Sequence, residues 1–374
     1  MRLLTIGHSY VVTENRRLAH EMGVQGRGRW QVVAIAPQRF RGDLSPLEAR
    51  AAAGEALELR TLPVRLGRSA HLMRYAGLRG AMAGPWDVVH AWEEPYIAAG
   101  AQIAASVPAA AKLVFSTFQN IAKTYPWPLS SFERRSMARA DAWIAFGELV
   151  KTTLASHPAY AGKPSRVISP GVDIALFRPD PSLAAHTRHH LGWPEEALVV
   201  GFLGRFEAQK GIELLCAALD QAAAPWHALF VGGGSMEPFL REFESRYPSR
   251  VRVVTGVPHA DVPRWLNAMS LLCAPSRTTA AWREQFGRMI VEAMACGVPV
   301  AGSDSGEIPF VIGEAGTVLP EGEPEAWTAA IDRLLGDSAL RRDHAARGLA
   351  RAAERFAWPV VARAHLDWFE EVLA

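Results

Sequence analysis

Short apolar runs alternate with longer stretches of mixed character along the whole chain. In the first half, runs at residues 3–6, 32–36, 87–91, 112–115 and 142–146 have strand length. Ala/Arg/Leu-rich segments with helical periodicity separate them. The rhythm breaks around residues 167–173, resumes at 198–204, and recurs at 228–231, 251–254, 271–273 and 298–301. Strand–helix alternation of this kind predicts parallel sheets flanked by helices. The expected fold class is therefore α/β, with two Rossmann-like domains facing each other across a cleft. The first covers residues 1–176, with a final helix at about 358–374 packing back on it; the second covers residues 177–357. Pro179 and Pro181 mark the expected linker.

Composition supports a folded chain. Of the 374 residues, 49% are hydrophobic and 21% charged, which suits a sizeable core and argues against long disorder. Three cysteines, an odd number without metal-ligand spacing, read as reduced thiols. The opening apolar run is too short for a signal-peptide core, and no apolar stretch is long enough to span a bilayer. The chain is therefore expected in the cytoplasm, with peripheral contact at the inner face of an anionic membrane allowed.

Charge changes the picture further. Residues 1–178 hold 22 Lys+Arg against 13 Asp+Glu, and the remainder holds 18 against 25, so a basic half precedes an acidic one. Residues 60–79 carry Arg60, Arg65, Arg68, Arg74 and Arg79 among apolar side chains. From Ser69 onward this fits either an amphipathic helix able to lie on anionic lipid or a helix packed on the sheet with its arginines in water. No nucleic-acid-binding module accompanies the charge, so nucleic acid is not expected as a partner.

Three segments carry candidate chemistry. Residues 288–296 read as a helix apolar almost all round and closed by Gly297, which buries Glu292 and obliges it to find a protein cation or a ligand hydroxyl. Glu284 lies just before the helix start, where the helix dipole tolerates an anion. Arg205 and Lys210 flank a turn that follows the strand ending near Gly204, so both can face one diphosphate. Residues 303–309 form a small-residue turn whose backbone amides suit phosphate or sugar oxygens. Taken singly, each also fits a structural role: an ordinary salt bridge, two surface cations, a plain strand-to-helix turn.

Together these segments resemble the retaining glycosyltransferases of group 1, which have the GT-B fold. Glu284 and Glu292, with seven residues between them that include Phe286-Gly287, and with Gly297-Val298-Pro299-Val300 after, match that family's paired glutamates. Ser169-Pro170-Gly171-Val172-Asp173 with Phe177 and Pro179 looks like its interdomain segment, Pro170 standing where the family usually has Asn. The resemblance implies that Arg205 and Lys210 stabilise the leaving diphosphate, that Glu284 faces the donor sugar, and that Glu292 bonds the ribose. It further implies that Gly204, Gly287, Gly306, Glu307 and Ile308 border the donor, with backbone amides of the last three offered to it. Val257 would lie near the base, and Gly7 would meet the phosphates or the acceptor. On the acceptor side it suggests His8, His90, Trp92, Glu93, Gln119 and Asn120. Gln119 stands where relatives often carry a His, so it can bond a hydroxyl but cannot titrate.

The resulting expectation is transfer of a hexosyl group from a nucleotide-diphosphate sugar, UDP-sugar first and GDP-mannose second, to a glycan, lipid-linked or small-molecule acceptor. No Asp-x-Asp pair occurs and no cofactor or metal is expected. His186, His189 and His190 read as surface histidines. Two other readings keep the same fold: an epimerase or hydrolase that needs no acceptor, and a non-catalytic nucleotide-sugar-binding protein.

Overall fold

The apolar runs become strands buried on both faces. The computed structural model describes residues 1–40, 47–67 and 69–374, so Arg68 lies outside the described residues. The chain divides into two compact units, Met1–Gly171 with Trp358–Ala374, and Val172–Ala357.

The first unit holds strands β1 (Arg2–Ile6), β2 (Gln31–Pro37), β3 (Glu58–Leu62), β4 (Val88–Ala91), β5 (Lys112–Thr117), β6 (Ala142–Ala145) and β7 (Ser165–Val167). They form one parallel sheet in the order β7-β6-β5-β4-β1-β2-β3. The order reverses direction between β1 and β4, which leaves a crevice at their carboxyl ends. On one face lies the helix Trp358–Leu373, whose buried Val361, Ala362, His365, Leu366, Trp368 and Phe369 form a stripe against Leu3, Ala34, Val88, Val114 and Ile144. Trp30 fixes that helix by donating from Nε1 to Glu370 at 3.1 Å, and Arg166 holds Glu371 at 2.7 Å.

The second unit repeats the plan with β8 (Val199–Arg205), β9 (His227–Gly233), β10 (Val251–Thr255), β11 (Leu271–Ala274), β12 (Val300–Ser303) and β13 (Thr317–Leu319). Its parallel sheet runs β10-β9-β8-β11-β12-β13, so the reversal falls between β8 and β11. The helix Arg288–Ala295 buries every residue but the first, as an all-round apolar sequence demands. Beyond it, Val298 donates its amide to Ala293 O and Pro299 has no N–H to give, so β12 starts at Val300, two residues later than the apolar run suggests.

Two local expectations fail. From Ser69 to Arg79 the chain does not form an amphipathic helix. After β3, Val64–Arg65 pairs antiparallel with Arg74–Tyr75, and the one-turn helix Leu78–Ala81 follows. Pro63 and the left-handed Gly77 interrupt any helix, and Met73, Tyr75 and Leu78 are drawn into the core while Arg65, Arg74 and Arg79 stay in water. The Pro179–Pro181 stretch is the capped start of a helix rather than a linker. Asp180 accepts the Leu183 amide at 2.9 Å and Pro181 opens Pro181–His190, where its missing N–H costs nothing.

Candidate active site

Glycine geometry first brings the candidate residues of the second unit together. Gly306 has φ +58°, and a Cβ there would lie 2.1 Å from Glu284 O. Only glycine lets the turn after β12 sit this close to the segment carrying Glu284.

Glu284 itself is buried. Its Oε2 takes the Lys210 ammonium at 2.6 Å and the Ser276 hydroxyl at 2.9 Å. Lys210 comes from the turn after β8, Ser276 follows β11, and those strands flank the point where the sheet order reverses. The ammonium also lies 4.8 Å from the centre of the Trp282 ring. A lysine has three N–H donors, so the contact with Glu284 leaves donors for an anion. Arg205 closes β8 with its side chain exposed and making no hydrogen bond to a described residue. The result is an anchored cation and an unengaged one at the carboxyl edge of the sheet.

Glu292 finds its partner in His259, whose Nε2 lies 2.9 Å from Oε1. His259 belongs to the turn that follows β10, two residues past Val257, and its ring packs 5.4 Å from Phe177. Gly287, with φ +79°, opens the helix that carries Glu292. Gly204 is part of β8, not of the turn beyond it.

Two backbone amides are not offered as expected. Glu307 N–H donates to Glu284 O at 3.1 Å and Ile308 N–H to Ser305 O at 3.2 Å. The turn spends them on its own closure, and the Ile308 side chain is fully buried.

In the first unit, the turn after β1 meets the segment after β4. His8 N–H donates to Glu93 Oε1 at 2.6 Å, and the His8 ring Nδ1 lies 2.5 Å from Glu93 Oε2. Tyr75, from the antiparallel pair after β3, donates its hydroxyl to Glu93 Oε1 at 2.8 Å. Burial alone would lower the His8 pKa. The charge and hydrogen bond of Glu93, with the charge of Glu94, outweigh it and raise the pKa above its ordinary value. Glu94 accepts from Thr117 Oγ1 and from the Phe118 amide, both at 2.7 Å. Burial still pushes its carboxyl up to about 7, against those two hydrogen bonds. Gln119 and Asn120, just past β5, are buried, and neither amide atom of Gln119 has a hydrogen-bond partner among the described residues.

Residues 197–337 match the family model described as glycosyl transferases group 1. The second unit is thus similar to the group 1 glycosyltransferases. The chain is 33% identical over 232 residues to a D-inositol 3-phosphate glycosyltransferase of Jonesia denitrificans, covering 57% of this chain and 53% of that protein. A Segniliparus rotundus protein of the same name is 31% identical over 252 residues, covering 63% and 54%. The chain thus spans about half the length of these relatives. Its fold is GT-B. Sucrose-phosphate synthase from Thermosynechococcus elongatus superposes with TM-score 0.75 at 20% identity over 100% of this chain and 99% of that one. Anabaena HepE in complex with UDP gives 0.74 at 21%, over 99% and 100%.

Three first-unit expectations need correction. His90 does not line an acceptor surface. It lies within β4, 0% exposed, with Thr5 Oγ1 at 3.1 Å and Ser116 Oγ at 2.8 Å, and burial drives its pKa well down. The hydroxyls of neighbouring strands satisfy it, so it is a core residue. Trp92 is half-buried in an aromatic cluster, 4.7 Å from Phe146, rather than an open platform. Gly7 gives its amide to Ile35 O at 3.2 Å and is pressed against Trp92, so that amide is not available to a phosphate.

Sequence reasoning missed Ser276, His259, Tyr75 and Trp282. Each except Tyr75 lies just past a strand end or just before the Glu284 segment, and polar or aromatic residues at such places are the available signal.

Proposed function

We propose that the chain transfers a hexosyl group, with retention, from a nucleotide-diphosphate sugar to an acceptor hydroxyl. The observation that carries this is the buried Lys210–Glu284–Ser276 arrangement with Arg205 beside it at the carboxyl edge of the second sheet. When the bond from the anomeric carbon to the phosphate oxygen breaks, its electron pair goes to the diphosphate. The anchored Lys210 ammonium, with the Arg205 guanidinium beside it, stabilises the developing charge. The Glu284 carboxylate keeps the ammonium in position and borders the donor sugar, and Glu292 receives the ribose hydroxyls beside His259. The acceptor oxygen attacks from the face the diphosphate leaves, which carries away the hydroxyl proton.

UDP-glucose is the first donor to test, because the HepE structures with UDP, with UDP and glucose, and with UDP-glucose share this fold. GDP-mannose is the second. Acceptor candidates are a glycan, a lipid-linked sugar or a small molecule; relatives named for D-inositol 3-phosphate make phosphorylated cyclitols part of the screen.

The deciding experiment is a thermal-shift screen of UDP-, GDP-, ADP- and TDP-sugars, followed by nucleotide release with and without acceptor. A true donor raises the melting temperature by mass action. Turnover without acceptor indicates hydrolysis or epimerisation, and binding without turnover indicates a sensor; either outcome rejects transfer. Arg205 and Lys210 take the place of a metal in this scheme, so activity should persist in excess EDTA. Loss on chelation that Mn²⁺ or Mg²⁺ restores would reject that part.

A further inference from the structure

Trp282 stands where an apolar ring has no apolar partner to seek. Residues 277–281 before it are exposed, and Trp282 belongs to neither apolar core of the second unit. It is nevertheless half-buried. The Lys210 ammonium sits over its ring, 4.8 Å from the ring centre, and Lys210 is itself only 8% exposed.

The segment that carries Trp282 is fastened at several points. Gly211, the residue after Lys210, has φ +71°, and a Cβ there would lie 1.8 Å from Pro275 O. Only glycine lets the turn after β8 come this close to the chain leaving β11. The Arg277 amide donates to Gln209 O at 2.8 Å. Thr278 gives its amide and its hydroxyl to the Glu321 carboxylate, and that hydroxyl lies 3.0 Å from Ser305 Oγ. Thr279 and Trp282 then exchange backbone hydrogen bonds, at 2.8 Å and 3.4 Å. This tight turn brings the indole to Lys210 two residues before Glu284.

Glu284 and Trp282 hold one ammonium by different physics. The carboxylate takes an N–H donor and offsets the charge. A ring face attracts the cation through its quadrupole and takes neither, and tryptophan does so best. The lysine stem is flexible, so a second contact of this kind fixes the ammonium while its other N–H donors stay open.

We propose that Trp282 is a positioning residue for the leaving diphosphate: its ring holds the Lys210 ammonium so that the remaining N–H donors meet phosphate oxygens, and the bonds of Thr278 to Glu321 keep the ring in place. This rests on the diphosphate reading of Lys210 above. Trp282 acts through Lys210, which then need not move as charge grows on the leaving group.

The test is calorimetric binding of UDP and GDP, each against its nucleoside, to the full chain. For the base that the wild type binds, Trp282→Leu should weaken the diphosphate roughly tenfold, the scale of a desolvated cation–π contact. The nucleoside should change less than about twofold, because it has no phosphate for Lys210 to hold. Trp282→Phe keeps a weaker ring face and should fall between wild type and Trp282→Leu. In a Lys210→Ala background, Trp282→Leu should remove no further diphosphate affinity, since coupled residues are not additive. Glu321→Ala should show the same selective loss, smaller in size. Equal losses for diphosphate and nucleoside, or a full loss persisting without Lys210, overturn the role of Trp282. Unchanged diphosphate affinity in Glu321→Ala overturns the fastening by Thr278. A wild type that binds neither diphosphate more tightly than its nucleoside overturns the diphosphate reading itself.

Discussion

The two units share one strand order and each buries a carboxylate beside a cationic side chain where that order reverses, yet they choose different cations. In the second unit Glu284 holds Lys210 at 2.6 Å; in the first Glu93 holds His8 at 2.5 Å. The compact lysine ammonium, with three N–H donors, suits a leaving diphosphate. Histidine changes charge near neutrality, which suits a hydroxyl. The comparison teaches that topology supplies a place, and the choice of side chain beside a fixed carboxylate supplies the chemistry.

The largest effect should come from breaking the second pair. Lys210→Ala should cut turnover by roughly two to three orders of magnitude and destabilise by about 3 kcal/mol, because Glu284 loses its buried cation. Arg205→Ala should cost similar turnover while changing stability by less than about 0.5 kcal/mol, since it is exposed. Steady-state UDP release and urea melts separate the two. Equal stability loss in both would mean that Lys210 is not anchored differently from Arg205.

Gly306→Ala comes next. The added methyl meets Glu284 O, and φ +58° is strained for alanine, so a loss of about 2 kcal/mol is expected. Hydrogen exchange should show the loosening in the second unit alone; exchange that rises equally in both units would contradict a local cause.

A smaller, pH-dependent effect should mark the first unit. Glu94 has its pKa raised to about 7 from 4.5 by burial, and Glu133 is raised by burial as well. A carboxyl with a raised folded pKa contributes stability below its unfolded value, and this is lost as pH rises through the folded value. Stability should therefore fall between about pH 4.5 and 7, and Glu94→Gln should flatten that slope. Melting curves at pH 5 and 8 check this; a variant with the wild-type difference would dismiss Glu94 as its source.

The smallest effect is expected at the antiparallel pair after β3. Arg65→Ser with Arg74→Ser should shift stability by less than about 0.5 kcal/mol, since both are exposed. A larger change in the melting midpoint would show that these arginines are structural.

The two-sheet α/β plan was legible because strands buried on both faces leave uninterrupted apolar runs, as at Val199–Arg205 and His227–Gly233. Residues 60–79 were not, because arginines interleaved with leucines satisfy several periods at once and the outcome turned on Pro63 and Gly77. The same holds at the site. That Glu292 needs a partner could be read from its apolar helix, but not that His259 supplies it, since a turn 33 residues away had to be placed first. Lys210 and Glu284 were visible as residue types; their ion pair spans 74 residues and exists only once β8 and β11 lie side by side. His90 was misplaced because a polar residue near a strand end was assumed to lie beyond it, whereas two hydroxyls inside the sheet accommodate it.

The helix Trp358–Leu373 carries a consequence for how the molecule is made. It covers a face of the first sheet but follows all of the second unit in chain order. On the ribosome, residues 1–171 emerge before residues 358–374 and must wait with Leu3, Val88 and Val114 uncovered until that helix arrives. The second unit, contiguous from Val172 to Ala357, can close before that moment. The first unit is therefore completed only after the second has been made, and a chain cut after residue 357 should reach chaperones with its first unit open and its second already folded.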